Sequence, residues 1–594
     1  MVQVSGKFQV SGLHFANVIT QFKFWFSVFH LFAFSFIFNV HGQKLDTVFR
    51  RPLDIPVSLS GTFAELRAGH FHSGIDFRTQ GITGHKVYAC EQGYVSRISV
   101  SSVGYGNVLY ITHPNGYTSV YAHLDAFNDH ITVYVKQQQY SQERFSVNLF
   151  PDSTQFRVKR GDIIAISGNS GNSGGPHLHF ELRDTKTEKP INPLKYGFGV
   201  KDNIPPVMHR LAVYPIGEGS TVNGSSDRLI LDLEKLGNSY RIVGDKKLKV
   251  VGKVAFGIDT YDQISGSANR CGPYNIQLWV DSALMFSQTM DRFSFDESRY
   301  INSLIDYEYY VNRRIRFNRL YLEPNNRLSV YDNHINRGIV SFAESGNQKA
   351  LVIVRDFHGN SSRLDFTFEY ALAPFHIPEI VIPGMSQKIF QKEFKYAQSG
   401  IRVTIPANAL YDEINFTCVA SGIPKGLYSK AYKVHHSGTP LHKAMTVEIA
   451  ADSLPVRLRE KALIVQIDSV GRFSSVGGAY RDGVVSANPS FFGMFAIGVD
   501  TVPPRIMPVN IKNGANMRDN KNIRFIIKDD FTGISSYNGW INGQWALFEY
   551  DAKNNLLYYN FDADRLTPNT KHTLELKITD GKGNTAEYKA NFIW

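Results

Sequence analysis

The chain has 594 residues, 43% of them hydrophobic and 20% charged, a balance that excludes a disordered or fibrous protein and provides for roughly four globular domains. The net charge of +11 favours anionic partners, but the Lys and Arg residues are scattered and form no basic helix or aromatic RNA-binding motif, so no nucleic-acid partner is expected. Three well-separated cysteines, Cys90, Cys271 and Cys418, exclude a small disulfide framework.

The first 43 residues carry Lys7 and Lys23 as their only charges, then the apolar run Phe24 to Val40, broken by Ser27, His30, Ser35 and Asn39. The run closes on Val40-His41-Gly42. This order reads as a secretory signal over residues 1–42, cleaved near Gln43. The run is shorter than the roughly 20 residues of a membrane helix, no Cys follows it for lipid attachment, and no other stretch is apolar enough to span a bilayer. The expectation is an exported protein of the periplasm or cell envelope, with no stable membrane span after cleavage.

Residues 43–200 read as short strands joined by Gly-rich turns. Tyr94 to Val100, Val108 to His113, Tyr117 to His123, Ile163 to Ser167 and His177 to Leu182 alternate or run apolar between turn residues, the pattern of antiparallel sheet. A polar insert between Asp125 and Val158 reads as one short helix and a loop. Asp202-Asn203-Ile204-Pro205-Pro206 marks a linker, and Asp500-Thr501-Val502-Pro503-Pro504 repeats it. Further matches follow: Asp262 with Gly266 and Asp356 with Asn360 in the first copy, Asp530 with Gly533 and Asp580 with Asn584 in the second. Regular strands with Asp/Gly/Asn turns predict β-sandwich modules of immunoglobulin-like type over 201–374 and 500–594. A β-rich module over 375–499 is expected between them, with a turn at Pro406 to Asp412.

Three patterns in the first unit carry chemistry. His72-Ser73-Gly74-Ile75-Asp76 offers a nitrogen and an oxygen ligand across a tight bend. Tyr121-Ala122-His123-Leu124 ends a strand in a histidine. A Gly-rich loop, Gly168 to Gly175, leads into His177-Leu178-His179-Phe180-Glu181, where two imidazoles share one face of a strand. Two His and one Asp make three ligands and leave a fourth position for water, as at a catalytic rather than a structural zinc. His70 is an alternative ligand, ranked below His72. Two further histidines remain for proton transfer.

These motifs resemble those of the lysostaphin-type (LytM-like) zinc endopeptidases, whose fold is the duplicated hybrid motif. The resemblance covers roughly residues 57–197. It implies a mainly β chain with a duplicated-hybrid-motif peptidase domain first and β-sandwich modules after it. It implies Zn2+ held by His72, Asp76 and His179, with His123 and His177 as catalytic histidines, one as general base and the other stabilising the oxyanion. It also implies a groove for peptidoglycan peptides, and hence a secreted endopeptidase of wall cross-links. Direct cross-links are favoured over glycine bridges. The alternative is a non-catalytic wall-binding regulator or activator of wall hydrolases, and a third reading makes the β modules a scaffold or a surface for a protein partner. By analogy with family members that carry blocking segments, Gln43 to Pro56 is a candidate arm across the site.

Overall fold

A computed structural model describes residues 48–244, 247–373 and 387–594. The expected signal over residues 1–42 and the start of the candidate blocking arm, residues 43–47, lie outside the described residues. Among the described residues no helix is long and apolar enough to cross a membrane.

The mainly β expectation holds, because period-2 alternation governs the chain. Strand Ser361–Ala371 buries every second residue, and Lys571–Asp580 does the same over most of its length. Side chains of a strand point to opposite faces in turn, so such patterns bury one face and solvate the other.

The first unit is built from β1 (Leu59–Gly61), β2 (Ile75–Arg78), β3 (Lys86–Tyr88), β4 (Gly93–Val100), β5 (Asn107–Thr112), β6 (Tyr117–Phe127), α1 (Asp129–Ser141), β7 (Val147–Leu149), β8 (Arg157–Val158), β9 (Ile163–Ser167), β10 (His177–Asp184) and β11 (Pro190–Ile191). All its pairings are antiparallel, in the order β1-β2-β10-β6-β5-β4-β7, with β9 joining β6 to β3. Leu178, Phe180 and Leu182 of β10 enter the core with Ile75, Phe77, Leu109 and Tyr121. The intervening His177, His179, Glu181 and Arg183 therefore share the opposite face.

The second unit packs its strands on a main apolar core between Met208 and Tyr370, with a smaller cluster of Ala212, Tyr214, Ala255 and Phe317 beside it. The third packs two five-stranded sheets on a core from Ile389 to Ile497. The fourth packs a four-stranded and a five-stranded sheet on Ile523, Phe525, Leu557 and Leu576. All three cysteines are free thiols.

Two features bear on the sequence reading. The insert after Asp125 does form a helix, capped by Asn128, whose Oδ1 accepts from the Ile131 N–H at 3.1 Å. Its outward face, however, receives the last module. Lys136 pairs with Asp562 at 2.6 Å, Tyr140 meets Trp545 edge-on at 5.4 Å, and the Arg565 guanidinium lies 4.0 Å over the Tyr140 ring. Second, residues 49–56 do not lie across the site. Phe49 is buried among Tyr117, Tyr196 and Phe198, the Arg50 N–H donates to Cys90 O, and Pro52 O accepts from the Tyr88 N–H. Burying an aromatic side chain is worth roughly 1.5–3 kcal/mol, which commits this segment to the core.

Candidate metal centre

The register of β2 against β10 places His179 directly opposite Asp76. Directly opposed side chains in an antiparallel pair lie about 5 Å apart at Cβ, so the two reach one point. Close approach of the strands requires Gly74, because a Cβ there would stand 2.2 Å from Phe180 O. His72 arrives from a hairpin just before β2. The Ala64 N–H donates to His72 O, the His72 N–H to Glu65 O and the Arg67 N–H to His70 O.

The three groups converge. His72 Nε2 lies 3.0 Å from Asp76 Oδ1 and 3.0 Å from His179 Nδ1, and His179 Nδ1 lies 2.9 Å from Asp76 Oδ1. All three residues are buried, and the group has the composition and spacing to hold a metal ion. Each ring is aimed by its other nitrogen. The His72 Nδ1–H donates to Thr62 O at 2.7 Å, and the His179 Nε2–H donates to Glu181 Oε1 at 2.9 Å. With those protons placed, the two facing nitrogens are bare acceptors, and Asp76 Oδ1 is a third. Three acceptors meeting at one point need a cation, and an N,N,O set suits zinc. The carboxylates around this point favour positive charge there, whether a proton on His179 or a metal ion. Burial opposes charge on His179, but Asp76 and Glu181 outweigh it and push its pKa up to about 9. Burial likewise opposes ionisation of Asp76, yet His72 and His179 hold that carboxyl well below the usual range. Its Oδ2 faces Arg67 Nη2 at 3.2 Å.

His123 and His177 stand beside this group. Their ring centroids are 4.8 Å apart, and His177 Nε2 is 3.5 Å from Asp76 Oδ1. The His123 Nδ1–H donates to Ser170 O at 2.8 Å and the His177 Nδ1–H to Gly175 O at 2.8 Å. Both Nε2 atoms are thereby left as acceptors. Burial, reinforced by His179 and His177, pushes His123 down to about 3, and burial also lowers His177. His123 has φ +59°, a left-handed conformation that an L-residue adopts at some cost and that recurs at functional sites. The preceding Gly-rich loop folds tightly against residues 104–106. Gly171, at φ +68°, would place a Cβ 2.4 Å from Gly106 N.

His70, the alternative ligand, lines the cleft but stays at the exposed hairpin tip, where its Nδ1 meets Ala68 O at 3.1 Å. Sequence reasoning missed the support beneath His179. Glu181 is fully buried, accepts from Ser73 Oγ at 2.6 Å and from the Tyr105 hydroxyl, and holds the Arg183 Nε–H at 2.7 Å. Burial raises its pKa, but Arg183 and His179 more than reverse this and keep it ionised. The signal was present: 177, 179, 181 and 183 alternate onto one face.

It also missed the second unit's part. Phe293 packs on Phe63 and Phe71 at 5.3 Å each, clamping the hairpin that carries His72. Phe295 lies 4.6 Å from the Arg183 guanidinium. Phe295 and Ser298 line a cleft of about 560 Å³ together with Arg67, Tyr105 and the histidines. Across the Gly-rich loop, Lys553 of the last module donates to Asn169 O.

Comparison with known proteins identifies this first unit. Residues 70–141 and 141–193 match the model of Peptidase family M23, the LytM-type domain, and residues 388–500 match a Zu5-like domain. A DD-carboxypeptidase/endopeptidase, Mpg, of Neisseria meningitidis is 31% identical over 137 residues, 22% of this chain and 23% of the relative. The murein hydrolase activator NlpD of Escherichia coli is 33% identical over 135 residues, 23% of this chain and 28% of the relative. Among solved structures, the catalytic domain of the prophage-encoded M23 protein EnpA from Enterococcus faecalis is 25% identical at a TM-score of 0.19, covering 25% of this chain and 98% of that one. The chain thus spans about a quarter of the length of the curated relatives it matches.

Proposed function

We propose that the chain is a zinc metalloendopeptidase that hydrolyses peptide cross-links of bacterial peptidoglycan. The observation that supports this best is the convergence of His72 Nε2, His179 Nδ1 and Asp76 Oδ1, each ring aimed by a partner on its far side. In this reading those three residues hold Zn2+, which when bound supplies a Lewis acid for a scissile carbonyl and a water acidic enough to ionise near neutral pH.

The chain's own residues do the rest. His177 and His123 each present an unprotonated Nε2 to the cleft and are neutral at pH 7; His177 is the better proton acceptor, since burial and its histidine neighbours push His123 down to about 3. His177 is the nearer to the ligand group and acts as base; His123 donates to the developing oxyanion only when its Nε2 carries a proton, because its Nδ1–H is held by Ser170 O. Glu181 fixes the tautomer of His179, and Arg183 keeps Glu181 charged. Arg67 neutralises the outer oxygen of Asp76. Phe295, Asn172 and Gly174 line the cleft with the histidines. Export, a cell-envelope location and division near residues 43, 201, 375 and 500 belong to the same proposal.

The relatives' names divide between endopeptidase and hydrolase activator. The complete histidine set favours catalysis. The test is the purified chain on isolated peptidoglycan, with muropeptides read by mass, alongside His179→Ala and a zinc chelator. Loss of cross-linked dimers that stops on chelation, returns with zinc and is absent in His179→Ala is expected. Intact dimers with zinc bound would favour the activator reading, and an active His179→Ala would remove the zinc assignment.

A further inference from the structure

The hairpin before β2 places Arg67 beside the candidate metal group. The Arg67 N–H donates to His70 O at 3.0 Å, and Leu66 pairs with Phe71 across the hairpin. The guanidinium then reaches back to two carboxylates. Its Nη2 lies 3.2 Å from Asp76 Oδ2 and 3.5 Å from Glu65 Oε2. Gly61 makes room for that approach: a Cβ there would stand 2.5 Å from Asp76 Oδ2 and 2.8 Å from Arg67 Nη2. One corner of the guanidinium is thereby fixed.

The other corners are unspent. Nε is buried without a hydrogen-bond partner, and among the described residues Nη1 makes no hydrogen bond or ion pair. The side chain is 38% exposed and lines the cleft that also holds His123, His177 and His179. A guanidinium carries five N–H donors in a planar fork that matches a carboxylate, so one anchored through Nη2 still has donors for a second anion. Arg183 provides the contrast. It is 5% exposed, pairs with Glu181 and Glu188 and lies against Phe295, so its charge is spent inside the protein. The second unit adds an apolar and a hydroxyl group to the same cleft, Phe295, 41% exposed, and Ser298. Their turn, Phe295–Tyr300, is held in place: the Asn192 N–H donates to Asp291 O at 2.8 Å, and Glu297 Oε2 accepts from the Ser294 N–H at 3.2 Å and from Ser329 Oγ at 2.7 Å. A lining held this way is organised before a ligand arrives. With Zn2+ bound, the metal and Arg67 together outweigh the charges of Asp76 and Glu65, so this part of the cleft favours an anion.

Resting on the peptidase reading above, we propose that Arg67 is a specificity-determining residue, whose unspent donors take a substrate carboxylate that flanks the scissile amide. The substrate class this selects is a direct cross-link through a diamino dicarboxylic acid, which keeps a free carboxylate on the carbon that bears the scissile nitrogen. A glycine bridge carries no such group. The placement fits. Arg67 touches the outer oxygen of Asp76, while the inner oxygen faces His72 and His179. The guanidinium therefore stands one carboxylate's width from the point where the scissile carbonyl is polarised, and the substrate carboxyl carbon lies only two bonds from the scissile nitrogen. A charge-assisted hydrogen bond of this kind is stronger than a neutral one, and a site built to make it rejects the analogue that lacks the group.

The test uses the full chain at saturating zinc and two synthetic cross-linked peptides that differ only in that carboxyl group, free in one and a carboxamide in the other. The wild type is expected to favour the carboxylate by at least about tenfold in kcat/KM. In Arg67→Gln the preference should shrink to about twofold or less, and Arg67→Lys, which keeps a point charge but not the fork, should retain part of it. If Arg67 served only to support Asp76, its loss would lower both rates together and leave the ratio standing, so the ratio separates recognition from support. Equal cleavage of the two peptides by the wild type overturns the proposal and leaves the peptidase reading intact, and so does an undiminished ratio in Arg67→Gln, or in Arg67→Lys where Arg67→Gln fails to fold. If neither peptide is cleaved, the peptidase reading fails, and the same comparison is made on binding by calorimetry: tighter binding of the carboxylate form that is lost in Arg67→Gln supports the anion subsite, and equal binding overturns it.

Discussion

Replacing Glu181 by Gln tests whether the proposed ligand His179 depends on the charge beneath it. The two side chains match in shape, but Gln brings an amide where Arg183 and His179 both donate. The His179 Nε2–H loses an anionic acceptor at 2.9 Å, and loss of such a partner typically weakens metal binding 10–100-fold, about 1.4–2.7 kcal/mol. Arg183, 5% exposed, keeps only Glu188 at 3.5 Å and the faces of Phe295 and Tyr110 at 4.6 and 5.3 Å. Stranding a buried charge costs about 3–5 kcal/mol, of which the rings recover about 1 kcal/mol. A net loss of about 2–4 kcal/mol should appear in melting of the first unit. Zinc affinity would be read by competition with a chromophoric chelator. The double variant Glu181→Gln with Arg183→Met should regain stability without regaining zinc affinity, since it removes the stranded charge but not the lost acceptor. Wild-type zinc affinity in Glu181→Gln would refute the reasoning.

Gly74→Ala should force β2 and β10 apart, because its Cβ would stand 2.2 Å from Phe180 O. A destabilisation of about 1–3 kcal/mol with loss of bound zinc is expected by melting and metal analysis, and an unchanged zinc content would count against the role of that approach. In the third module, burial and then His436 push His435 down to about 4 from 6.5, and its Nδ1 is buried without a partner. The folded module therefore binds fewer protons between these values, so His435 contributes full stability above pH 6.5 and loses it as the pH falls towards 4. His435→Gln should flatten that acid loss between pH 7 and 5; an equal loss in both proteins would reject it.

The spacing of His72 and Asp76 and the face shared by His177 and His179 were legible in the sequence because each is local. Four residues across a Gly-containing bend join His72 to Asp76, and period-2 alternation puts His177, His179, Glu181 and Arg183 on one face. The strands of the first unit and the internal Asp/Gly/Asn repeat were legible for the same reason: alternation and turn chemistry act over a few residues. The roles of Glu181 and Arg183 were legible in principle by carrying that alternation two steps further.

Only the tertiary structure decided what lies across large separations. The register that sets His179 opposite Asp76, Thr62 behind His72 and Ser170 behind His123 depends on how strands pair. The clamp of Phe293 on Phe63 and Phe71, the docking of the last module on α1 and the approach of Asp202 to Asp356 join residues more than a hundred positions apart. Burial and pairing between such residues leave no periodic mark in the chain. Each depends on which surfaces the finished sheets bring together.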